Sequence, residues 1–125
     1  MSGASDDALK ALTARRFRPI QLPELMMFTF GHDEPFIDVV LARSEDDATA
    51  YRSRVDENDV RFDALAPGNV VWWRNGDLPA VVDELLDLPR PDEPRAPRLV
   101  VPTPSSLWVP PSTRPVNRER SFLEI

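Results

Sequence analysis

The stretch from Val70 to Pro89, VVWWRNGDLPAVVDELLDLP, constrains the fold more than any other part of the chain. Its first four residues, Val70–Trp73, are β-branched or aromatic and therefore predict a strand. Asn75-Gly76 is typical of a turn, because both residues tolerate positive φ. Asp77 is suited to the N-cap of a helix and Pro79 to its first turn, where a missing N–H costs nothing. We therefore expect a strand, a tight turn and a helix in direct succession.

Two helices are predicted from the spacing of apolar residues. After Asp77, apolar residues recur at i, i+3, i+4, i+7 and i+8, which predicts a helix over about 78–88 that Pro89 ends. A narrower apolar stripe, with acids at its start and arginines at its end, predicts a helix over about 6–16 that Pro19 ends.

Three further strands are predicted from short apolar or β-branched runs between turn residues: LMMFTF at 25–30, FIDVVLAR at 36–43 and ATAYRSRV at 48–55. Strands and helices are thus segregated along the chain. The fold class expected is α+β, with a small antiparallel sheet of about four strands and two helices.

The second and third of these strands are expected to form a hairpin. A connecting loop of two or four residues sets Phe36 opposite Val55 and Val40 opposite Tyr51, and it also sets Asp38 opposite Ser53. A loop of three residues would shift every pair by one position.

The composition changes after Pro89, since nine of the 14 prolines lie between Pro89 and Pro115. Proline removes backbone donors and fixes φ, so this segment is expected to be extended and to lie outside the sheet. It carries two apolar clusters, Leu99–Val101 and Leu107–Val109, which indicate docking rather than a free linker. The predicted organisation is a body over 1–88 and a proline-rich C-terminal arm over 89–125.

Composition excludes several classes of protein. The chain has no cysteine, and its N-terminus lacks the basic start and apolar run of an export signal, so a cytoplasmic protein without a membrane segment is expected. The net charge is −6, with an acidic middle and basic ends, which disfavours nucleic-acid binding. Nearly all of the 15 basic residues are arginine, a bias that indicates a GC-rich bacterial genome.

Catalytic chemistry is not indicated. The four glycines are never closely spaced, so there is no phosphate-binding loop, and the single histidine, His32, lies in a loop without a second histidine or cysteine for zinc. We therefore expect that the chain is not an enzyme and that it has no catalytic residues, no metal site and no cofactor.

The function that the sequence favours is a non-enzymatic protein–protein interaction module, an adaptor or accessory subunit. Trp72 and Trp73 are neighbours on a strand and so point to opposite faces, of which the following helix can cover only one. The arm, a protein partner or a second copy of the chain is expected to cover the other. The predicted binding residues are Trp72, Trp73, Arg74, Leu99, Val101, Leu107 and Trp108.

Two alternatives remain open. The first is an acidic inhibitor or immunity-type protein that binds a basic partner site through electrostatic attraction. Its predicted acidic surface consists of Asp33, Glu34, Glu45, Asp46, Asp47, Asp56, Glu57 and Asp59. The second is a small-molecule-binding protein with a pocket beneath the arm, around Trp73 and Trp108.

Overall fold

The computed structural model describes residues 3–32, 35–55, 64–65 and 67–102. Within these residues the fold is α+β, as predicted, with two helices and a five-stranded antiparallel sheet in the order β1-β2-β3-β4-β5. The elements are α1 (Gly3–Ala14), β1 (Arg18–Gln21), β2 (Met26–Gly31), β3 (Phe36–Ser44), β4 (Asp47–Arg54), β5 (Val70–Gly76) and α2 (Leu78–Leu86).

The end of α1 differs from the prediction that Pro19 stops a helix over 6–16. The helix ends at Ala14, and the next turn is closed by two backbone hydrogen bonds, from Arg16 N–H to Thr13 O at 3.0 Å and from Phe17 N–H to Leu12 O at 3.1 Å. This is the pattern of a Schellman motif, which places one residue in the left-handed region. That residue is Arg16, with φ of 69°.

The segment that follows forms β1, a strand that was not predicted. It contains Pro19, which pairs with Phe28 of β2, at an edge of the sheet. An edge strand has one side without ladder bonds, so it accommodates a residue that has no N–H to donate. Proline was therefore compatible with a strand here, and the sheet has five strands rather than about four.

The register of the β3–β4 hairpin was predicted wrongly. The connecting turn has two residues, because Ser44 pairs with Asp47, but the pairing then shifts by one between Ser44 and Ala42. Arg43 is the extra residue at this irregularity, and one extra residue changes which side chains lie opposite each other. The observed pairs include Phe36–Arg54, Asp38–Arg52, Val40–Ala50 and Ala42–Ala48.

The strand and helix of the central stretch join without a separate turn. Asn75 and Gly76, predicted as a turn, pair with Thr49 and Ala48 as the last residues of β5. Asp77 caps the helix as predicted, and its side chain accepts a 2.9 Å hydrogen bond from the backbone N–H of Ala80. The last helical residue is Leu86, two residues before the predicted end.

The sheet separates two apolar clusters. On one face, α1 and α2 cover the sheet, with Leu12, Val81, Val82 and Leu85 packed against strand residues such as Val40 and the small Ala48 and Ala50. On the other face, Val39, Leu41, Tyr51 and Val70 pack with side chains from loops and from the proline-rich segment, among them Leu25, Leu65 and Val101. Both faces are buried. No helix in the described part of the chain is long and apolar enough to cross a membrane.

Candidate functional site

The two adjacent tryptophans of β5 belong to different faces of the sheet. Trp72 packs against the cluster beneath the helices, and Trp73 packs against the cluster on the opposite face. The indole N–H of Trp73 donates a 3.2 Å hydrogen bond to the carbonyl of Pro102. The face that α1 and α2 leave uncovered therefore contacts Pro102 of the proline-rich segment.

Residues 89–102, called the strap below, are held on the body by hydrogen bonds along their length. Arg52 Nη1 donates to Pro89 O at 2.7 Å, near the start of the strap. Arg54 Nη2 donates to Arg98 O, and Val101 N–H donates to Val70 O at 2.9 Å. Val101 is half-buried in the cluster around Tyr51 and Val70.

Leu99 and Val100, which lie between the hydrogen bonds at Arg98 and Val101, are exposed to solvent. Leu99 is 82% exposed and Val100 is 51% exposed, which makes them the most exposed large hydrophobic residues in the described part of the chain. Arg74 lies elsewhere, in an exposed ion pair with Glu84 at 2.9 Å. Leu107 and Trp108, also predicted as binding residues, lie outside the described residues.

Three of the predicted acidic-surface residues can be placed, and all lie at the β3–β4 turn. Asp46 is exposed, Glu45 is half-buried, and Asp47 forms a 3.1 Å ion pair with Arg43 that offsets its charge. The other five lie outside the described residues: Asp33, Glu34, Asp56, Glu57 and Asp59. A continuous acidic surface therefore stays a prediction.

A buried ion pair between β3 and β4 was missed by the sequence analysis. The Asp38 carboxylate accepts from Arg52 Nε at 2.7 Å and from Arg52 Nη2 at 3.1 Å, a bidentate geometry. His32 Nε2 lies 2.8 Å from the second Asp38 oxygen. The exposed fractions of the Asp38 and Arg52 side chains are 6% and 2%. Asp38 lies opposite Arg52 only in the observed register, whereas the predicted register set Ser53 opposite Asp38.

This ion pair lies at a cavity of about 270 Å³ between the sheet and the helices. Its wall includes Phe17 and Phe30, whose ring centroids are 5.4 Å apart, and Phe30 forms a T-shaped pair with His32 at a centroid distance of 4.9 Å. The remaining lining residues are Arg15, Gly31, Asp38, Arg52, Leu85, Leu86, Leu88 and Arg90. The cavity thus combines apolar walls with guanidinium groups, a composition suited to ligand binding.

Metal binding has no comparable support. Within residues 3–32, 35–55, 64–65 and 67–102, no group of three or more His, Cys, Asp or Glu side chains is arranged to hold a metal ion.

In comparisons with known proteins, no protein-family model matches the chain, and no significant match was found among curated proteins or solved structures.

Proposed function

We propose that the chain is a non-enzymatic protein–protein interaction module that presents the Leu99–Val100 segment of its strap to a partner protein. The observation that supports this most directly is the exposure of both side chains, 82% and 51%, on a backbone that is hydrogen-bonded to the body at Arg98 O and at Val101 N. The proposal extends to a cytoplasmic adaptor or accessory subunit of a bacterial cell.

The fixed backbone distinguishes these residues from ordinary exposed hydrophobic side chains. Single exposed leucines and valines are common on protein surfaces and by themselves indicate nothing. A segment that is already held in place loses little conformational entropy when it binds, so more of its contact energy appears as affinity. Arg98 adds two hydrogen bonds within the strap, from Nη2 to Pro91 O at 3.2 Å and to Glu93 O at 3.3 Å. These hydrogen bonds further stabilise the conformation of the segment that contains Leu99.

The expected partner surface is an apolar groove on another protein, since leucine and valine supply no charge or hydrogen bond from their side chains. A second copy of the chain could supply such a surface. Sedimentation of the purified protein at about 100 μM separates these cases, because a dimer with a Kd in the micromolar range is largely formed at that concentration. A dimer at that concentration identifies the partner as a second copy, and a monomer directs the search to another protein.

Leu99→Asp is the variant that tests the proposal. Ile20→Asp is the matched control, because Ile20 is also an exposed large hydrophobic residue, at 39%, but lies on β1 at the opposite edge of the sheet from β5. We expect Leu99→Asp to weaken the dimer, or the complex purified from the native host, by at least about tenfold, as loss of a central apolar contact does. Ile20→Asp is expected to leave the affinity unchanged.

The thermal unfolding of both variants is measured in parallel to exclude a general loss of structure. A Leu99→Asp protein that unfolds at the wild-type temperature but binds less tightly supports the proposal. Equal affinities of wild type and Leu99→Asp would reject it, and so would an equal loss in Ile20→Asp, since binding would then not depend on the strap.

A further inference from the structure

We propose that the cavity around Arg52 binds a small organic anion, a carboxylate that carries an aromatic or branched aliphatic body. The inference is independent of the proposed interaction through Leu99 and Val100, which lie outside the cavity lining. It depends on three features of the cavity: the fixed orientation of the Arg52 guanidinium group, an excess of positive charge among the described lining residues, and apolar walls.

The first feature is the fixed orientation of Arg52. A guanidinium group has five N–H donors. Three hydrogen bonds from Arg52 are made within the described residues, two to Asp38 and one to Pro89 O. The other two N–H groups have no acceptor among the described residues, so they can donate to a ligand. Asp38 and the Pro89 carbonyl already hold the guanidinium group in position. A carboxylate is the acceptor whose two oxygens best match the spacing of guanidinium donors.

The second feature is the charge of the lining. Three arginines, Arg15, Arg52 and Arg90, face one acidic side chain, Asp38, which is already paired with Arg52. Arg90 also approaches the Asp92 carboxylate at 4.0 Å, but both groups are largely exposed, so this contact is weak. Within the part of the chain that the structure describes, the Arg15 side chain makes one long hydrogen bond of 3.5 Å, to Leu86 O. Among the described residues, the lining of the cavity is therefore positive, on a chain whose net charge is −6.

The third feature is the apolar wall, which defines the rest of the ligand. Phe17 and Phe30 form one part of it, and Leu85, Leu86 and Leu88 form another. The volume of about 270 Å³ is just below the range of about 300–1,000 Å³ that is usual for small-molecule sites, so the ligand is small. A phosphate dianion has no apolar part to place against these walls, and its desolvation costs more than that of a monoanion. A carboxylate with one ring or one branched chain fits both regions.

The test uses His32 as a reporter, since it is the only histidine in the chain and its imidazole proton signals are unambiguous in NMR spectra. Phenylacetate is the probe, phenylacetamide is its uncharged counterpart, and inorganic phosphate supplies charge without an apolar body. Each is titrated to 10 mM into the wild-type chain of 125 residues at constant pH. We expect a saturable shift of the His32 signals with phenylacetate and at least tenfold weaker effects with the other two compounds.

A pair of double variants tests the role of the arginines. Arg15→Gln/Arg90→Gln removes two exposed charges from the cavity, and Arg18→Gln/Arg95→Gln removes two exposed charges outside its lining. Loss of contacts to a charged group typically weakens binding by about tenfold or more. We expect that loss for the first double variant and a change of less than about twofold for the second.

Three results would overturn the proposal. The first is a His32 signal that does not shift in a saturable way with phenylacetate, and the second is equal binding of phenylacetamide or of inorganic phosphate. The third is an equal weakening in the two double variants, which would mean that general charge and not the cavity attracts the probe. The melting temperature of each variant is recorded with the titration, and Leu99→Asp is expected to bind phenylacetate as wild type does.

Discussion

The buried pair of Asp38 and Arg52 yields the sharpest stability prediction. Asp38→Ala removes the acceptor of two guanidinium hydrogen bonds and leaves Arg52, whose side chain is 2% exposed, without a counter-charge. His32 also loses its partner, but its side chain is 12% exposed and so has more access to water. The loss of stability therefore comes mainly from the unpaired charge of Arg52.

The expected loss of stability in Asp38→Ala follows from the burial of Arg52. Breaking a buried ion pair by removing one partner costs about 3–5 kcal/mol, because a buried charge is left uncompensated. Each kcal/mol corresponds to a fall of about 4 °C in the melting temperature of a domain of roughly this size. We therefore expect the melting temperature of Asp38→Ala to fall by about 12–20 °C.

Replacing both partners separates the cost of an unpaired charge from the loss of packing. Asp38→Leu/Arg52→Met leaves no buried charge, although the Pro89 carbonyl loses the 2.7 Å hydrogen bond from Arg52, at a cost of about 1–3 kcal/mol. The double variant is thus expected to recover part of the stability lost in Asp38→Ala. Urea unfolding followed by circular dichroism measures both free energies. The reasoning is refuted if Asp38→Ala loses less than about 1 kcal/mol, or if the double variant is less stable than Asp38→Ala.

Two other substitutions are expected to raise stability or leave it unchanged. Arg16→Gly places glycine at a φ of 69°, a backbone conformation that glycine adopts without steric cost, and should raise the free energy of unfolding by about 0.5–1 kcal/mol. Arg16→Ala should not raise it, because alanine has a Cβ atom. Equal free energies for the two variants would contradict the role of φ. Arg43→Met removes a 2% exposed side chain whose Nε and Nη1 atoms have no hydrogen-bond partner within the described residues. The Nη2 hydrogen bonds to Asp47 and to Thr49 Oγ1 are lost as well, but Asp47 is 35% exposed and Thr49 Oγ1 keeps its hydrogen bond to Asn75. Urea unfolding should therefore show unchanged or higher stability, and a loss of more than about 1 kcal/mol would contradict this.

The elements that were predicted correctly depend on interactions between near neighbours in the chain. The apolar spacing after Asp77 and the capping carboxylate act within three or four residues, and α2 forms where those signals lie. The same holds for the β-branched and aromatic run of β5. The α+β class followed from the order of such local elements.

The errors arose where contacts distant in sequence outweighed a local signal. Pro19 was interpreted as a helix terminator, but its position at the sheet edge allows it to be part of β1. Asn75 and Gly76 were interpreted as a turn, but pairing with β4 extends the strand through both. The turn preference of Asn75 and Gly76 is local, and pairing with Thr49 and Ala48 of β4 outweighs it here.

The sequence by itself determined the fold class, the cap and apolar face of α2, and the opposite orientations expected of Trp72 and Trp73, because each follows from spacing along a short segment. Only the tertiary structure decided that Arg43 is the extra residue of the hairpin, and hence that Asp38 meets Arg52. A one-residue shift changes the partner of every later residue in the strand, and its free energy comes from packing on both faces of the sheet. The cavity around Arg52 and the attachment of Val101 to Val70 are likewise products of that packing.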